Sequence, residues 1–198
     1  LYGKIGKLMD AAGFDGIVAP KDLVAIKIHW GEAGNLAYIP APVIRKIADR
    51  IKGKNGKPFI TDTNTLYSGS RRNAVDNIET AIANGFDFAI AGAPVIVADG
   101  ISGHDYENVE INGKHFSSVK IAGGIRHAHG MVAVSHVKGH IGTGMGGTLK
   151  NIGMGCGAPS GKQNMHSDVK PKVKAKKCTA CGACIKVCLP LGAPQIGR

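Results

Sequence analysis

Aromatic residues are scarce in this chain: only 5% of its 198 positions are Phe, Trp or Tyr, and none belongs to a nucleic-acid-recognition motif. That ranks nucleic acid low as a partner, although the formal net charge of +11 would suit it. Long apolar runs are missing as well. No stretch approaches the roughly 18 to 20 residues needed to cross a bilayer. The opening Leu1-Tyr2-Gly3-Lys4 leads into an amphipathic stretch with no signal-peptide cleavage site. The expectation is a soluble, cytoplasmic protein with no membrane partner. Acidic residues are few, 14 against 25 lysines and arginines, which favours anionic partners without choosing among them. Cysteine is sparse and uneven: of five, four fall within eleven residues. A secreted disulfide scaffold would spread an even number along the chain, so the clustering reads as metal-binding thiolates in a reducing compartment.

What is plentiful is glycine, 29 residues, many of them between positions 139 and 161. Such clustering suggests backbone brought close to a ligand or forced into positive φ. The hydrophobic fraction of 43% is ordinary for a globular protein, and the length allows one domain with a small appendage.

Periodicity predicts alternating helices and strands. Ile5, Leu8, Met9 and Ala12 form a helical stripe that Gly13 would end. Leu23 to Ile28 reads as a buried strand, followed by His29-Trp30-Gly31-Glu32. Residues 40–52 suit a helix, with Pro40 and Pro42 in its first turn and Gly53 at its C-terminal cap. Pro58–Thr61 is a second strand opening into Asp62-Thr63-Asn64-Thr65, residues 71–84 a further helix, and Pro94–Val97 a third strand. Val109–Ile111 and Phe116–Ile121 read as a hairpin around Asn112-Gly113, and Met131–Ser135 as another buried strand. A helix should begin within Gly146–Met154. The fold class expected is α/β, a mainly parallel sheet layered with helices, with a small ferredoxin-like cysteine module at the C-terminus. Its parts would be an α/β domain over 1–166, a basic linker over 167–177 carrying Lys170, Lys172, Lys174, Lys176 and Lys177, and a cysteine segment over 178–198. Ligands in such sheets sit beyond the carboxyl ends of strands, where the polar clusters 29–35, 62–70 and 136–150 fall.

The cysteine run is C-x2-C-x2-C-x3-C, on Cys178, Cys181, Cys184 and Cys188. This is the bacterial ferredoxin spacing for a [4Fe–4S] cube, and the small residues Ala180, Gly182 and Ala183 let the sulfurs converge. Zinc usually takes two C-x2–4-C arms set a dozen or more residues apart, which is absent here. In two-cluster ferredoxins the fourth cysteine serves the other cluster. Either Cys188 closes a single cube, or the natural chain continues to a second run. The lysines ahead of the run would offset the charge of the cluster, dock an acidic redox partner, or form a solvated linker.

The second constellation runs from Ser135 to Asn151. His136 and His140 could bind a metal or move protons, with Lys138 as a further candidate catalytic group. Gly142, Gly144 and Gly147, with Lys150 and Asn151, are candidates to cradle a small anion at a helix N-terminus. The glycines match G-x-G-x-x-G but lack the acidic partner of a dinucleotide fold, since Asp168 lies in the linker. His127 and His129 are left out of the site. Cys156 is a buried small residue, a reactive thiol or an extra ligand. His29 with Glu32, and Asp62 with Asn64, are weaker candidates at strand ends.

Three strings are longer than chance similarity allows: Ala25-Ile26-Lys27-Ile28-His29-Trp30-Gly31-Glu32, Thr61-Asp62-Thr63-Asn64-Thr65-Leu66-Tyr67, and Gly147 through Cys156. They resemble an uncharacterised iron–sulfur protein family, the domain-of-unknown-function family three-six-two, over nearly the whole chain. The resemblance implies a ferredoxin-type module with two cysteine runs followed by more of the α/β domain, whereas this chain has one run and then Leu189–Arg198. No reaction comes with it. The expected function is an iron–sulfur redox protein, the cluster passing electrons to or from a site near His136, Lys138, His140, Lys150 and Asn151. A pure electron carrier and a basic nucleic-acid-binding protein are the alternatives.

Overall fold

The structure, a computed structural model, describes residues 2–140, 143–166 and 173–183. Its frame is a four-stranded parallel sheet in the order β3–β2–β1–β6, from β1 (Leu23–Lys27), β2 (Lys57–Asp62), β3 (Val95–Val97) and β6 (Gly130–Ala133). α1 (Tyr2–Ala11) precedes β1, and between the strands lie α2 (Ala41–Gly53), α3 (Ala74–Ala83) and the single-turn α4 (Phe88–Ala91). An antiparallel hairpin, β4 (Tyr106–Glu110) with β5 (Ser118–Ala122), and the turn α5 (Gly123–Arg126) precede β6. After β6 come a short hairpin of β7 (Lys138–His140) and β8 (Gly144–Gly146), then α6 (Thr148–Gly153) and α7 (Pro159–Met165).

Strand alternation builds two different faces. Val24, Ile26 and Ile28 join one apolar cluster with Ile60 and with Ile44, Ile47, Ala48 and Ile51 of α2. Ala25 and Lys27 point the other way, and both are completely buried. Ile44 is completely buried in that cluster. Ile44→Ala is therefore expected to cost about 2–4 kcal/mol in urea denaturation, whereas truncating the exposed Val75 should cost under about 0.5 kcal/mol.

The elements expected from periodicity form, with several ends differing for local reasons, while α4, α5, α7 and the β7–β8 pair were not expected. The helix expected from residue 71 begins at Ala74, because the Asn73 side chain caps it by accepting from the Asp76 amide. Arg71 thereby stays in the preceding loop. Gly53 does not supply the left-handed turn after α2; Asn55 does, at φ 59. The hairpin turn is longer than Asn112-Gly113 alone, closed by Ile111 N–H donating to Ser117 O and Gly113 N–H to Phe116 O. Gly13, at φ 66, follows α1 as expected.

One topological feature positions everything below. The chain runs outward through β1, β2 and β3, then returns to lay β6 on the opposite side of β1. Strand order reverses there, so the loops after β1 and β6 diverge and open a crevice at their carboxyl ends.

Candidate functional site: a basic cavity at the carboxyl edge of the sheet

A cavity of about 600 Å³ occupies that crevice, lined by residues that follow β1, β2 and β6 and by residues of α6 and α7. Its floor is a buried ionic network. Lys27, the last residue of β1, reaches Asp62, the last of β2, at 2.8 Å. Lys27 Nζ also donates to Asn151 Oδ1 at 2.8 Å and to the Ile28 carbonyl at 3.2 Å, so all three ammonium hydrogens have acceptors. Asp62 in turn accepts from Arg71 Nη1 at 2.9 Å. Burial opposes ionisation of Asp62, but Lys27 and Arg71 outweigh it and hold its carboxyl down at about 2.

Arg71 extends the network towards the wall. It donates from Nε and Nη2 to Glu32 Oε1, at 3.1 and 2.7 Å, and the Tyr67 hydroxyl donates to the same oxygen at 2.6 Å. His29 Nε2 lies 3.2 Å from Arg71 Nη2, while the Gly31 amide donates to Nδ1 at 3.0 Å. Desolvation first, and the Arg71 charge second, lower the His29 pKa to about 4. Two-fifths of that side chain is open to the cavity, where water moderates the shift. The imidazole is neutral at physiological pH, and the Gly31 amide on Nδ1 leaves its proton on Nε2.

Asn151 is the fastener of the site. Its Nδ2 donates to Val134 O at 3.2 Å, Ser135 Oγ at 3.1 Å and Lys27 O at 3.4 Å, joining the ends of β1 and β6 across the crevice. Beside it, a β-carbon at Gly155 would stand 2.1 Å from Asn151 O and 2.6 Å from Lys27 Nζ, so only glycine lets the loop pass this close. Lys162, from α7, completes the floor: Nζ donates to Thr63 Oγ1 at 2.6 Å and to the Asn64 carbonyl. Behind it the buried Asp99 accepts from the Asn64 backbone at 3.0 Å, and burial pushes its carboxyl up to about 6.

The mouth is basic. The lining holds five lysine and arginine side chains, Lys27, Arg71, Lys138, Lys150 and Lys162, against two carboxylates, Glu32 and Asp62. Lys27 and Arg71 are matched to those carboxylates; Lys138, Lys150 and Lys162 enter none of the ion pairs formed among the described residues. Desolvation, and then the charge of Lys138, lower the pKa of Lys150. An anion at the mouth would relieve that repulsion.

Of the residues singled out from sequence, His136, Lys138, Gly147, Lys150 and Asn151 line this one cavity. His140 and Gly144 are outside its lining, although His140 Nε2 contacts Lys150 Nζ and its Nδ1 lies 3.0 Å from Thr143 Oγ1. Gly142 lies outside the described residues. Lys138–His140 pairs antiparallel with Gly144–Gly146, and α6, which follows Gly147, is six residues long. Among the described residues no group of three or more His, Cys, Asp or Glu side chains is placed to hold a metal. Cys156 is buried, its thiol pushed up by that burial and 4.0 Å from Met131 Sδ.

Of the cysteine run, Cys178 and Cys181 are described and exposed; Cys184 and Cys188 lie outside the described residues, as do most of the linker and the final segment. Ala180 and Gly182 both take positive φ, 55° and 71°. The turn they form brings the Ala183 amide onto the Cys181 sulfur, and that hydrogen bond, with one from the Thr179 side chain, lowers the thiol pKa. A soft, readily ionised sulfur beside small residues is what a cluster ligand requires, and Cys181 fits one.

Residues 24–189 match the family described as Domain of unknown function (DUF362). The chain belongs to that family. The DUF362 match starts in β1 and spans every residue of the cavity and all four cysteines of the run. No curated protein and no solved structure matches the chain. Among the described residues, no helix is long and apolar enough to cross a membrane.

Residues that sequence reasoning passed over carry much of the site. Lys27 sat inside a strand pattern, Arg71 inside a supposed helix, and Lys162 in a segment given no element. The signal available for Lys162 was Pro159, a helix-start residue three positions before it.

Proposed function

We propose that this DUF362 protein is an iron–sulfur redox protein whose α/β domain binds a small anionic substrate in the basic cavity. The observation that carries the binding half is the set of three basic side chains, Lys138, Lys150 and Lys162, facing one cavity without a carboxylate partner. The redox half rests on the cysteine spacing and on the Cys181 turn, with Cys178, Cys181, Cys184 and Cys188 holding a [4Fe–4S] cluster. When bound, the cluster supplies or accepts one electron at a time.

The remaining roles belong to the protein. Lys138 and Lys150 at the mouth draw in and fix the anion, and long-range attraction adds to them because the whole chain is basic. His29 lines the wall beside Arg71, and Glu32 with Tyr67 holds Arg71 in place. The Lys27–Asp62–Asn151 group keeps the strand ends together and adds no net charge to the pocket. The exposed Lys174, Lys176 and Lys177 ahead of the cysteines suit docking of an acidic redox partner. Cluster thiolates need a reducing compartment, consistent with the cytoplasm.

Titration calorimetry with inorganic phosphate tests the binding half. Lys150→Ala should weaken phosphate about tenfold, the lower end of what a hydrogen bond to a charged group contributes. Raised salt should weaken it in wild type. Phosphate binding that ignores both the substitution and the salt would remove the cavity from the reading and favour a plain electron carrier.

A further inference from the structure

The lysines of the cavity are not chemically equivalent. Lys27 has three acceptors, Asp62 Oδ1, Asn151 Oδ1 and the Ile28 carbonyl, one of them a carboxylate. Each of its three hydrogens has an acceptor there, and one acceptor carries the opposing charge. Lys162 is also buried but differently served. Its two acceptors, Thr63 Oγ1 and the Asn64 carbonyl, are both uncharged. Thr63 cannot reverse roles, because its hydroxyl hydrogen is committed to the Gly155 carbonyl at 2.9 Å.

Two neutral acceptors suit a neutral amine better than an ammonium ion. An amine has two hydrogens and one lone pair. Thr63 and Asn64 hold both hydrogens, and the lone pair is what Nζ retains for the cavity that Lys162 lines. The third hydrogen of an ammonium ion would have no acceptor among these contacts. The charged groups around it pull in both directions. Burial disfavours the ammonium form most strongly, Asp62 and Asp99 favour it, and Lys27 and Arg71 oppose it; the balance lowers its pKa to about 8. A lysine desolvated beside other cations is a recognised way to obtain a nucleophilic amine near neutral pH.

We propose that Lys162 is a nucleophilic amine that forms an imine with a small carbonyl compound bearing an anionic group, such as a 2-oxo acid. The anionic group sits with Lys138 and Lys150, so the inference rests on the anion-binding reading above and names its substrate class. Nζ attacks the carbonyl carbon and the nitrogen–carbon bond forms. The carbonyl oxygen leaves as water, taking the two amine hydrogens, and the nitrogen–carbon double bond closes. Nothing is oxidised or reduced in this step.

The test is borohydride trapping on the intact, anaerobically purified chain, with pyruvate as the probe and peptide mass spectrometry as the readout. Near pH 7.5 an amine of pKa about 8 is roughly a quarter neutral, against roughly a thousandth for an ordinary lysine. Reduced adduct should therefore appear on Lys162 more than about tenfold above any exposed lysine. It should rise with pH through about 8, fall when excess phosphate competes, and vanish from that position in Lys162→Arg. Lys27, in the same cavity, should stay unlabelled. The wild-type map alone decides the matter if the variant fails to fold. Pyruvate that raises the melting temperature but leaves Lys162 unmodified overturns the nucleophile and spares the anion site. No adduct, with no thermal shift from pyruvate or phosphate, overturns both.

Discussion

Asp62→Asn is expected to remove about 3–5 kcal/mol of stability, the usual cost of taking one partner from a buried ion pair. That is a large part of what holds a domain folded, commonly about 5–15 kcal/mol, so the variant should be marginal at 37 °C. The physical reason is what the substitution leaves behind. Lys27 is completely buried at the end of β1, and among the described residues Asp62 is its one carboxylate partner. The amide cannot neutralise it, and Arg71 Nη1 loses a charged acceptor at the same time. Replacing both members, Lys27→Met with Asp62→Leu, should cost less than the two single losses added, because no uncompensated charge remains. Urea denaturation at pH 7 measures Asp62→Asn, the two single replacements and the double. Acid gives an independent check. The folded pKa of Asp62 lies near 2, below the roughly 3.9 of an unfolded aspartate, so the unfolded state takes up protons first as pH falls. The stability that Asp62 contributes is thus fully present above about pH 4 and is lost on the way down to about pH 2. The acid limb of Asp62→Asn should be correspondingly shallower. A variant as stable as wild type would mean that water already reaches Lys27.

How much of this was legible in the sequence depends on the range over which the signal acts. Periodicity acts over a few residues, and it marked β1, β2, β6 and the stripes of α2 and α3. Lys27 shows the limit. Within Leu23–Ile28 a lysine reads as a polar interruption, yet its charge is answered by Asp62, 35 positions away, which no local window contains. Arg71 was misplaced for a related reason. Apolar spacing let the third helix start at 71, but Asn73 caps the backbone two residues later and frees Arg71 to turn inward to Asp62 and Glu32.

The glycine-rich segment is a different case. Strands are announced by alternating apolar side chains, and Gly139, Gly144 and Gly146 offer none, so the pairing of β7 with β8 leaves no mark in the sequence, where the stretch reads as backbone able to wrap a small anion. His136, Lys138, Gly147, Lys150 and Asn151 were grouped because they follow one strand, and the reversal of strand order brings them to the cavity however the intervening backbone folds. Asn151, a candidate ligand-binding residue, pins the ends of β1 and β6. A short amide beside a reversal in strand order has two open backbone edges to satisfy, and that demand exists only in three dimensions.

Cys181→Ser is expected to abolish the cluster, cutting iron and acid-labile sulfide from about four each per chain to a small residue and erasing the visible charge-transfer absorption. Cys156→Ser should leave all of it in place. The contrast follows from the surroundings of the two sulfurs. Cys181 is exposed on a turn where the Ala183 amide and the Thr179 side chain donate to it, so its thiolate forms readily and can face iron. Burial keeps Cys156 protonated within the α/β domain, beside the Met131 sulfur. A hydroxyl is a poorer ligand than a soft thiolate and deprotonates far less easily, so serine cannot simply stand in. Metal analysis with EPR before and after dithionite, on anaerobically purified protein, reads both variants against wild type. Four irons in wild type would assign all four cysteines of the run to one cube. Three would leave one corner to a ligand other than Cys188. Zinc without sulfide would make the run a structural staple and separate it from the chemistry of the cavity. Because the cavity floor shares no residue with the run, Cys181→Ser should still bind phosphate as tightly as wild type, so a loss of both together would mean that the cluster helps to build the anion site.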